Sequence, residues 1–281
     1  MARSVNRSWL ATARRTLPWA TALALLAHAS ADALAQPLET PPQPVPVDAK
    51  IVLAVDASRS MDEVEFGVER DGYVRALRRP ELIRAVTAGR LGRVAFAYFE
   101  WSGQIGDGGL VPWRIVASAA DADRLAAEIA ALPAPRNMGT SISRALTFGA
   151  DLLENDDIAS ERLIIDVSGD GVNNVGPPVT RARDAALARG ITINGLPVLI
   201  PGENNRLPDL DRYFEECVIG GPGAFVLPAG SRDEMAETII RKLMLEVSDL
   251  MPELRPVPVD YEPIDCMVGE RLFHKRMWNP H

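Results

Sequence analysis

The chain has 281 residues, of which 47% are hydrophobic, enough for one sizeable core or two small ones. Its formal net charge is −8, and nucleic acids and anionic membrane surfaces are bound chiefly through clustered Lys and Arg. The composition therefore argues against both as partners and favours a soluble, acidic, globular protein.

The first 35 residues have the pattern of a secretory signal peptide. Four arginines precede an apolar run from about Leu17 to Ala27, and Ala33-Leu34-Ala35 matches a small-residue cleavage site. The apolar run is too short to span a bilayer comfortably, and no Cys follows the cleavage site to carry a lipid. Cleavage after Ala35 leaves 246 residues with 26 Lys and Arg against 37 Asp and Glu, a net charge of −11. We therefore expect a periplasmic or secreted protein without a stable membrane anchor.

Strand-like and helix-like segments alternate along most of the remaining chain. Residues 36–48 are Pro-rich and are predicted to be an extended spacer, and residues 251–281 are predicted to be a C-terminal tail. Between them, residues 49–250 are predicted to form an α/β domain with a three-layer, doubly wound and mostly parallel sheet. The predicted strands are 51–55, 92–101, 110–116, 162–168, 191–198 and 224–227, and the predicted helices are 61–79, 119–132, 141–153, 179–189 and 231–247.

The segments between these elements carry three further expectations. Pro80 is predicted to close the first helix, because the residue before a proline disfavours helical geometry. The glycine-rich stretch 106–109 is predicted to be a turn, and residues 199–216 a long polar loop. We also expect the tail beyond Pro252 to be dispensable for the fold, because its Pro-rich stretch should bury little apolar surface.

Side chains whose oxygen atoms can bind a metal lie at three points where strands end or helices begin. In an open α/β sheet such points meet at the carboxyl edge, so we expect these side chains to lie close together. Hard oxygen ligands suit Mg²⁺, Mn²⁺ or Ca²⁺ better than Zn²⁺. Each residue alone is also a common cap or turn residue, so the prediction of a metal site depends on the whole set. Its members are Asp56, Ser58 and Ser60 after the first strand, Thr140 before a helix, and Asp170 after the strand 162–168.

This set resembles the metal-ion-dependent adhesion site (MIDAS) of von Willebrand factor type A (VWA) domains, over about residues 49–248. Longer strings are similar to the DUF1194 family of exported bacterial VWA-like proteins: AVDASRSMDEVEF, YFEWSG, GTSISRAL, DVSGDGVNN, RGITINGLP and CVIGGPGAF. The resemblance implies hydroxyl ligands from Ser58, Ser60 and Thr140. It implies that Asp56 and Asp170 bind the metal directly or through water. It also implies one open coordination position, which a carboxylate of a partner protein often fills in VWA domains.

The leading hypothesis is therefore an exported, non-enzymatic module that recruits a protein partner through a divalent cation, Mg²⁺ before Mn²⁺ or Ca²⁺. One alternative is a metal-dependent hydrolase that uses the same ion to activate water. Another is a structural domain whose loops the metal ties together. No His, Lys or extra Glu in the motif strings is an evident general base, which argues against the hydrolase.

The two cysteines, Cys217 and Cys266, both remain after signal cleavage. In an oxidising compartment they can form a disulfide or stay as two separate thiols. We predict the disulfide, because no other Cys competes for either partner.

Overall fold

The structure is a computed structural model. The residues that it describes are 43–58, 63–133, 138–154, 157–199, 209–248, 250 and 262–278. The predicted signal peptide, the first part of the Pro-rich segment and Ser60 lie outside these ranges.

Five strands form the central sheet: β2 (Lys50–Asp56), β3 (Val94–Trp101), β4 (Ile105–Val116), β6 (Leu163–Gly169) and β7 (Ile191–Pro197). Their order across the sheet is β4-β3-β2-β6-β7. Neighbouring strands are parallel except at the β3–β4 edge, where the pairing is antiparallel. Two short strands, β1 (Val45–Pro46) and β5 (Ile158–Ala159), form a separate parallel pair.

Helices cover both faces of this sheet. In chain order they are α1 (Glu63–Leu77), α2 (Pro80–Ala88), α3 (Ala119–Ala130), α4 (Ile142–Leu153), α5 (Val179–Leu187), α6 (Leu210–Tyr213), a π-helical turn (Phe214–Val218), α7 (Arg232–Ser248) and α8 (Val268–Trp278). Helices α1, α2, α3 and α7 pack into the core on one face. Helices α4, α5, α6 and the π-helical turn pack into the core on the other. The three-layer, mostly parallel α/β architecture predicted from the sequence is confirmed.

Strand β2 is the centre of the fold because both of its faces are buried. Ile51, Leu53 and Val55 belong to one core, while Val52 and Ala54 belong to the other, and all five are 0% exposed. Side chains of a strand alternate between its faces, so a strand covered on both sides must be apolar at every position. Burial of each larger side chain contributes roughly 1.5–3 kcal/mol to the stability of the fold.

The first helix ends before Pro80 as predicted, since Arg79 is extended, but Pro80 also begins a helix that was not predicted, α2. Two other local predictions are wrong. The glycine-rich stretch 106–109 is part of β4, and a Cβ on Gly109 would lie only 3.1 Å from the Cβ of Glu100 on β3. The segment 224–227 forms only an isolated bridge, between Val226 and Gly195 of β7.

Both ends of the domain differ from the predicted boundaries. The folded part begins at about Val45, since β1 pairs with β5 and the side chain of Val47 is 3% exposed. In the predicted tail, α8 packs on the domain, where Gly269 is buried. The tail therefore makes contacts that its Pro-rich sequence did not indicate. Within the domain, the predicted loop 199–216 also contains α6 and the start of the π-helical turn.

Candidate metal site

Asp56 and Asp170 lie at the carboxyl edge of the sheet, on neighbouring strands. Asp56 is the last residue of β2, and Asp170 directly follows β6. The strand order reverses here, because the chain passes from β2 to β3 on one side and later to β6 on the other. Sites in open α/β sheets form at such points. Both side chains are nevertheless buried, with Asp56 0% and Asp170 1% exposed.

Ser58 and Thr140 lie at the same edge. The backbone N–H of Ser58 donates a hydrogen bond of 2.7 Å to Oδ1 of Asp56, which turns the chain as it leaves β2. Thr140 precedes α4, and the loop after β6 passes next to it, since a Cβ on Gly171 would lie 3.8 Å from Thr140 Oγ1. Ser58 is 1% and Thr140 is 4% exposed. The structure thus brings four of the five predicted residues together, and the fifth, Ser60, lies outside the described residues.

The electrostatics of Asp56 are unfavourable for a bare carboxylate. Burial raises its pKa to about 8, with a further contribution from the negative charge of Asp170, while hydrogen bonds from Ser58 and the backbone of Asp170 oppose the rise. Its Oδ2 atom is buried and accepts no hydrogen bond from the described residues. A buried carboxylate beside a second one must take up a proton or a cation.

The residues present fit a hard divalent cation. Gly169 leaves room beside the site, because a Cβ there would lie 3.1 Å from Oδ2 of Asp56 and 3.3 Å from the ring of Trp101. Within the described ranges, no three His, Cys, Asp or Glu side chains group closely enough to hold a metal. The oxygen donors that the described residues bring to this edge are two carboxylates and the hydroxyl groups of Ser58 and Thr140. That donor set favours Mg²⁺, Mn²⁺ or Ca²⁺.

A third buried carboxyl group near this edge, that of Glu69 on α1, was not predicted from the sequence. It is 0% exposed, and burial raises its pKa well above the usual range, with further contributions from the charges of Asp56 and Asp170. The sequence contained a signal for it. Glu69 follows Phe66 by three residues and precedes Tyr73 by four, which places it on the apolar face of the helix.

Glu100, at the end of β3, is not available to a cation. It accepts two hydrogen bonds of 2.8 Å from the guanidinium of Arg70 and one of 2.9 Å from the hydroxyl of Tyr98. The two asparagines after Asp170 also have structural partners. The side-chain Oδ1 of Asn174 accepts a hydrogen bond from the backbone N–H of Thr140, and the backbone N–H of Asn174 donates to the carbonyl of Thr140, both at 2.9 Å. The side-chain Oδ1 of Asn173 accepts a hydrogen bond from the backbone N–H of Ser143.

The doubly wound sheet has the fold of solved structures that include a vWF domain. The pilus adhesin SpaC from Lactobacillus rhamnosus GG superimposes with a TM-score of 0.52 at 16% identity, over 73% of this chain and 31% of the adhesin. The mussel byssus proximal thread matrix protein 1 with a zinc-occupied MIDAS motif has a TM-score of 0.51 at 15% identity, over 73% and 49%. The vWF domain of the pilus tip protein Mfa5 from Porphyromonas gingivalis has a TM-score of 0.50 at 11% identity, over 77% and 100%.

The family is shown by sequence. The family model DUF1194, described as a protein of unknown function, matches residues 46–251, and the chain belongs to this family. No curated protein matches the chain. The structural likenesses establish the fold alone at these identities, and the chain spans about a third of the adhesin and half of the thread protein. Across the described residues, every helix is too short or too polar to cross a membrane.

Proposed function

We propose that this domain is an exported protein-binding module that holds a divalent cation at the carboxyl edge of its sheet. The observation that carries the proposal is the buried Oδ2 of Asp56, which accepts no hydrogen bond from the described residues and lies beside the second buried carboxylate of Asp170. A cation at this position relieves both the burial of charge and the repulsion between the two groups.

The roles of the ligands follow from their chemistry. Ser58, Ser60 and Thr140 supply hydroxyl oxygens, while Asp56 and Asp170 bind directly or through water. Two carboxylates balance the charge of a divalent ion and the hydroxyls add none, so the site remains attractive to an incoming carboxylate of a partner protein. Mg²⁺ is the proposed cation, with Mn²⁺ and Ca²⁺ as the other hard ions that the donors accept.

Two lines of support concern the partner and the location. The fold is that of domains found in a pilus adhesin and a pilus tip protein, which supports binding of another protein. The N-terminal pattern of four arginines, an apolar run and Ala33-Leu34-Ala35 supports export with cleavage after Ala35.

Thermal or urea unfolding of the mature chain with and without Mg²⁺ tests the metal site. At a hundred times the dissociation constant, the cation should add about 2.7 kcal/mol to the free energy of unfolding. Asp56→Ala should remove this gain and keep the fold, because it deletes a carboxylate that is costly when no cation is bound. Asp123→Ala is the matched control, since Asp123 forms an exposed ion pair with Arg78. Unchanged stability with Mg²⁺, Mn²⁺ and Ca²⁺ up to about 10 mM, above the range of weak extracellular sites, would contradict the metal site.

Affinity capture from a periplasmic and a secreted fraction tests the binding role. The wild-type chain and Asp123→Ala should retain a protein partner in Mg²⁺ and lose it in EDTA, whereas Asp56→Ala should retain none. Metal-dependent turnover of ester or phosphate substrates without capture would instead favour a hydrolase. Stabilisation by metal with neither capture nor turnover would favour a structural metal.

A further inference from the structure

The C-terminal segment 262–278 is joined covalently to the rest of the domain. Cys266 forms a disulfide with Cys217 of the π-helical turn, with their Cα atoms 5.5 Å apart. Next to it, the backbone N–H of Ile264 donates to Oε2 of Glu216 at 2.6 Å. The side chains of Ile264, Cys266 and Val268 pack against the core on this face of the sheet. The segment is therefore anchored before α8 begins.

From this anchor, α8 lies directly on the loop that follows Asp170. Gly269 has no room for a side chain, because a Cβ there would overlap the carbonyl oxygen of Asn173 and lie 2.7 Å from Cγ2 of Val172. The next residue, Glu270, accepts a hydrogen bond of 2.7 Å from Nδ2 of Asn173. The helix thus contacts the loop through both backbone and side chain.

Asn173 is the residue through which this contact reaches the site. It is 0% exposed, and its Oδ1 accepts from the backbone N–H of Ser143, at the start of α4, at 3.0 Å. Its Nδ2 also donates to the carbonyl of Pro177 at 3.1 Å, and its backbone N–H donates to the hydroxyl of Tyr213 at 3.2 Å. An amide that donates from Nδ2 to Glu270 must present Oδ1 towards Ser143. Glu270, with the carbonyl of Pro177, therefore holds the orientation of the amide.

The same short loop connects Asp170 with Thr140. Asn174, the neighbour of Asn173, pairs with Thr140 through side chain and backbone, and Val175 N donates to the same Thr140 carbonyl at 3.3 Å. A change in the position of Asn173 therefore moves Asn174, and with it the separation between Asp170 and Thr140. Residues that hydrogen-bond to metal ligands and so fix their orientation affect metal affinity strongly, and their mutation typically weakens it 10–100-fold.

We propose that Glu270 is a positioning residue of the candidate metal site: through Asn173, the disulfide-anchored C-terminal helix holds the Asp170 loop against the start of α4. The effect on metal affinity rests on the proposed function, whereas the effect on the loop does not. In the metal-free protein, Glu270 restrains the backbone amides of Thr140, Ser143 and Asn174. In the metal-bound protein, the same restraint sets the distance between ligands.

The test compares four variants of the mature chain. Glu270→Ala removes the acceptor, Glu270→Gln keeps an oxygen that accepts the same hydrogen bond, and Lys275→Ala alters an exposed residue on the same helix. Gly269→Ala is a second way to displace the helix, and because alanine favours helix formation, its effect comes from the lost contact with Asn173. Hydrogen exchange of the metal-free protein and calorimetric titration with Mg²⁺ are measured for each.

Glu270→Ala and Gly269→Ala should speed exchange at the amides of Thr140, Ser143 and Asn174. Both should also raise the dissociation constant for Mg²⁺ about tenfold. Glu270→Gln and Lys275→Ala should match the wild type in both. If exchange is faster in Glu270→Ala but Mg²⁺ does not bind even to the wild type, the metal site is refuted. The role of Glu270 in holding the Asp170 loop is then still supported. Unchanged exchange and affinity in Glu270→Ala would overturn the proposal. Faster exchange throughout the sheet would overturn it as well, since it would mean a general loss of stability.

Discussion

Asp56 and Asp170 lie buried next to each other at the carboxyl edge of the sheet, and the pKa of Asp56 is raised to about 8 by burial and by the charge of Asp170. Below this pH, Asp56 holds a proton. At the proposed metal site a cation would have to displace this proton, so proton and metal would compete for the same carboxylate.

The affinity for Mg²⁺ should accordingly depend on pH. We expect the association constant to rise about tenfold for each pH unit up to about pH 8 and to level off above it, because one proton is released for each cation bound. Titrations at pH 6, 7, 8 and 9 measure this slope. Asp123→Ala should reproduce the wild-type profile, since Asp123 is exposed and pairs with Arg78. A constant affinity between pH 6 and pH 8 would contradict the assignment of Asp56 as a ligand.

A second pair of carboxyl groups, Glu246 and Asp166, lies buried around Lys242 in the core beneath α7. Lys242 Nζ is 2.6 Å from a carboxylate oxygen of each. One ammonium cannot balance two buried carboxylates, and the pKa of Glu246 is raised to about 7 by burial and then by the charge of Asp166. Between its usual value of 4.5 and about 7, the folded chain holds a proton that the unfolded chain has released.

The stability that this proton provides should be fully present below about pH 4.5 and lost as the pH rises to about 7. Glu246→Gln should remove this loss, which is about 3 kcal/mol for a single group shifted this far. Urea unfolding from pH 4.5 to pH 8 compares the variant with the wild type. Glu237→Gln, whose side chain is 72% exposed in the wild type, is the control and should follow the wild-type profile. Parallel profiles for wild type and Glu246→Gln would show that Glu246 is ionised throughout.

The ion pair between Arg70 and Glu100 should contribute far more to stability than the pair between Arg78 and Asp123. The side chains of Arg70 and Glu100 are 12% and 1% exposed, and those of Arg78 and Asp123 are 44% and 67% exposed. Arg70→Met leaves a buried carboxylate without its cation and should lower the free energy of unfolding by about 3 kcal/mol. Arg78→Met should cost less than about 1 kcal/mol, because water screens an exposed pair. Equal losses in chemical denaturation would contradict the burial of Glu100.

Much of the fold was predictable because it depends on local patterns. An uninterrupted apolar run of strand length, such as the one before Asp56, indicates a strand buried on both faces. Strands that alternate with helices along the chain imply that the strands pair in parallel. The same pattern places Asp56 and Asp170 at strand ends, so their meeting at one edge could be expected from the topology. Glu69 was overlooked although its helical spacing from Phe66 and Tyr73 predicts burial.

By itself, the sequence determined the α/β class, the succession of strands and helices along the chain and the residue types at the strand ends, since strand and helix periodicity are properties of short segments. Only the tertiary structure decided which polar side chains already have partners. Asn173 resembles an ordinary turn residue, and its role depends on Glu270, 97 residues further along the chain. The partner of Glu100 likewise lies on another element, since Glu100 accepts a hydrogen bond from Arg70 of α1. Such pairings arise only when packing brings distant segments together, and no local pattern encodes them.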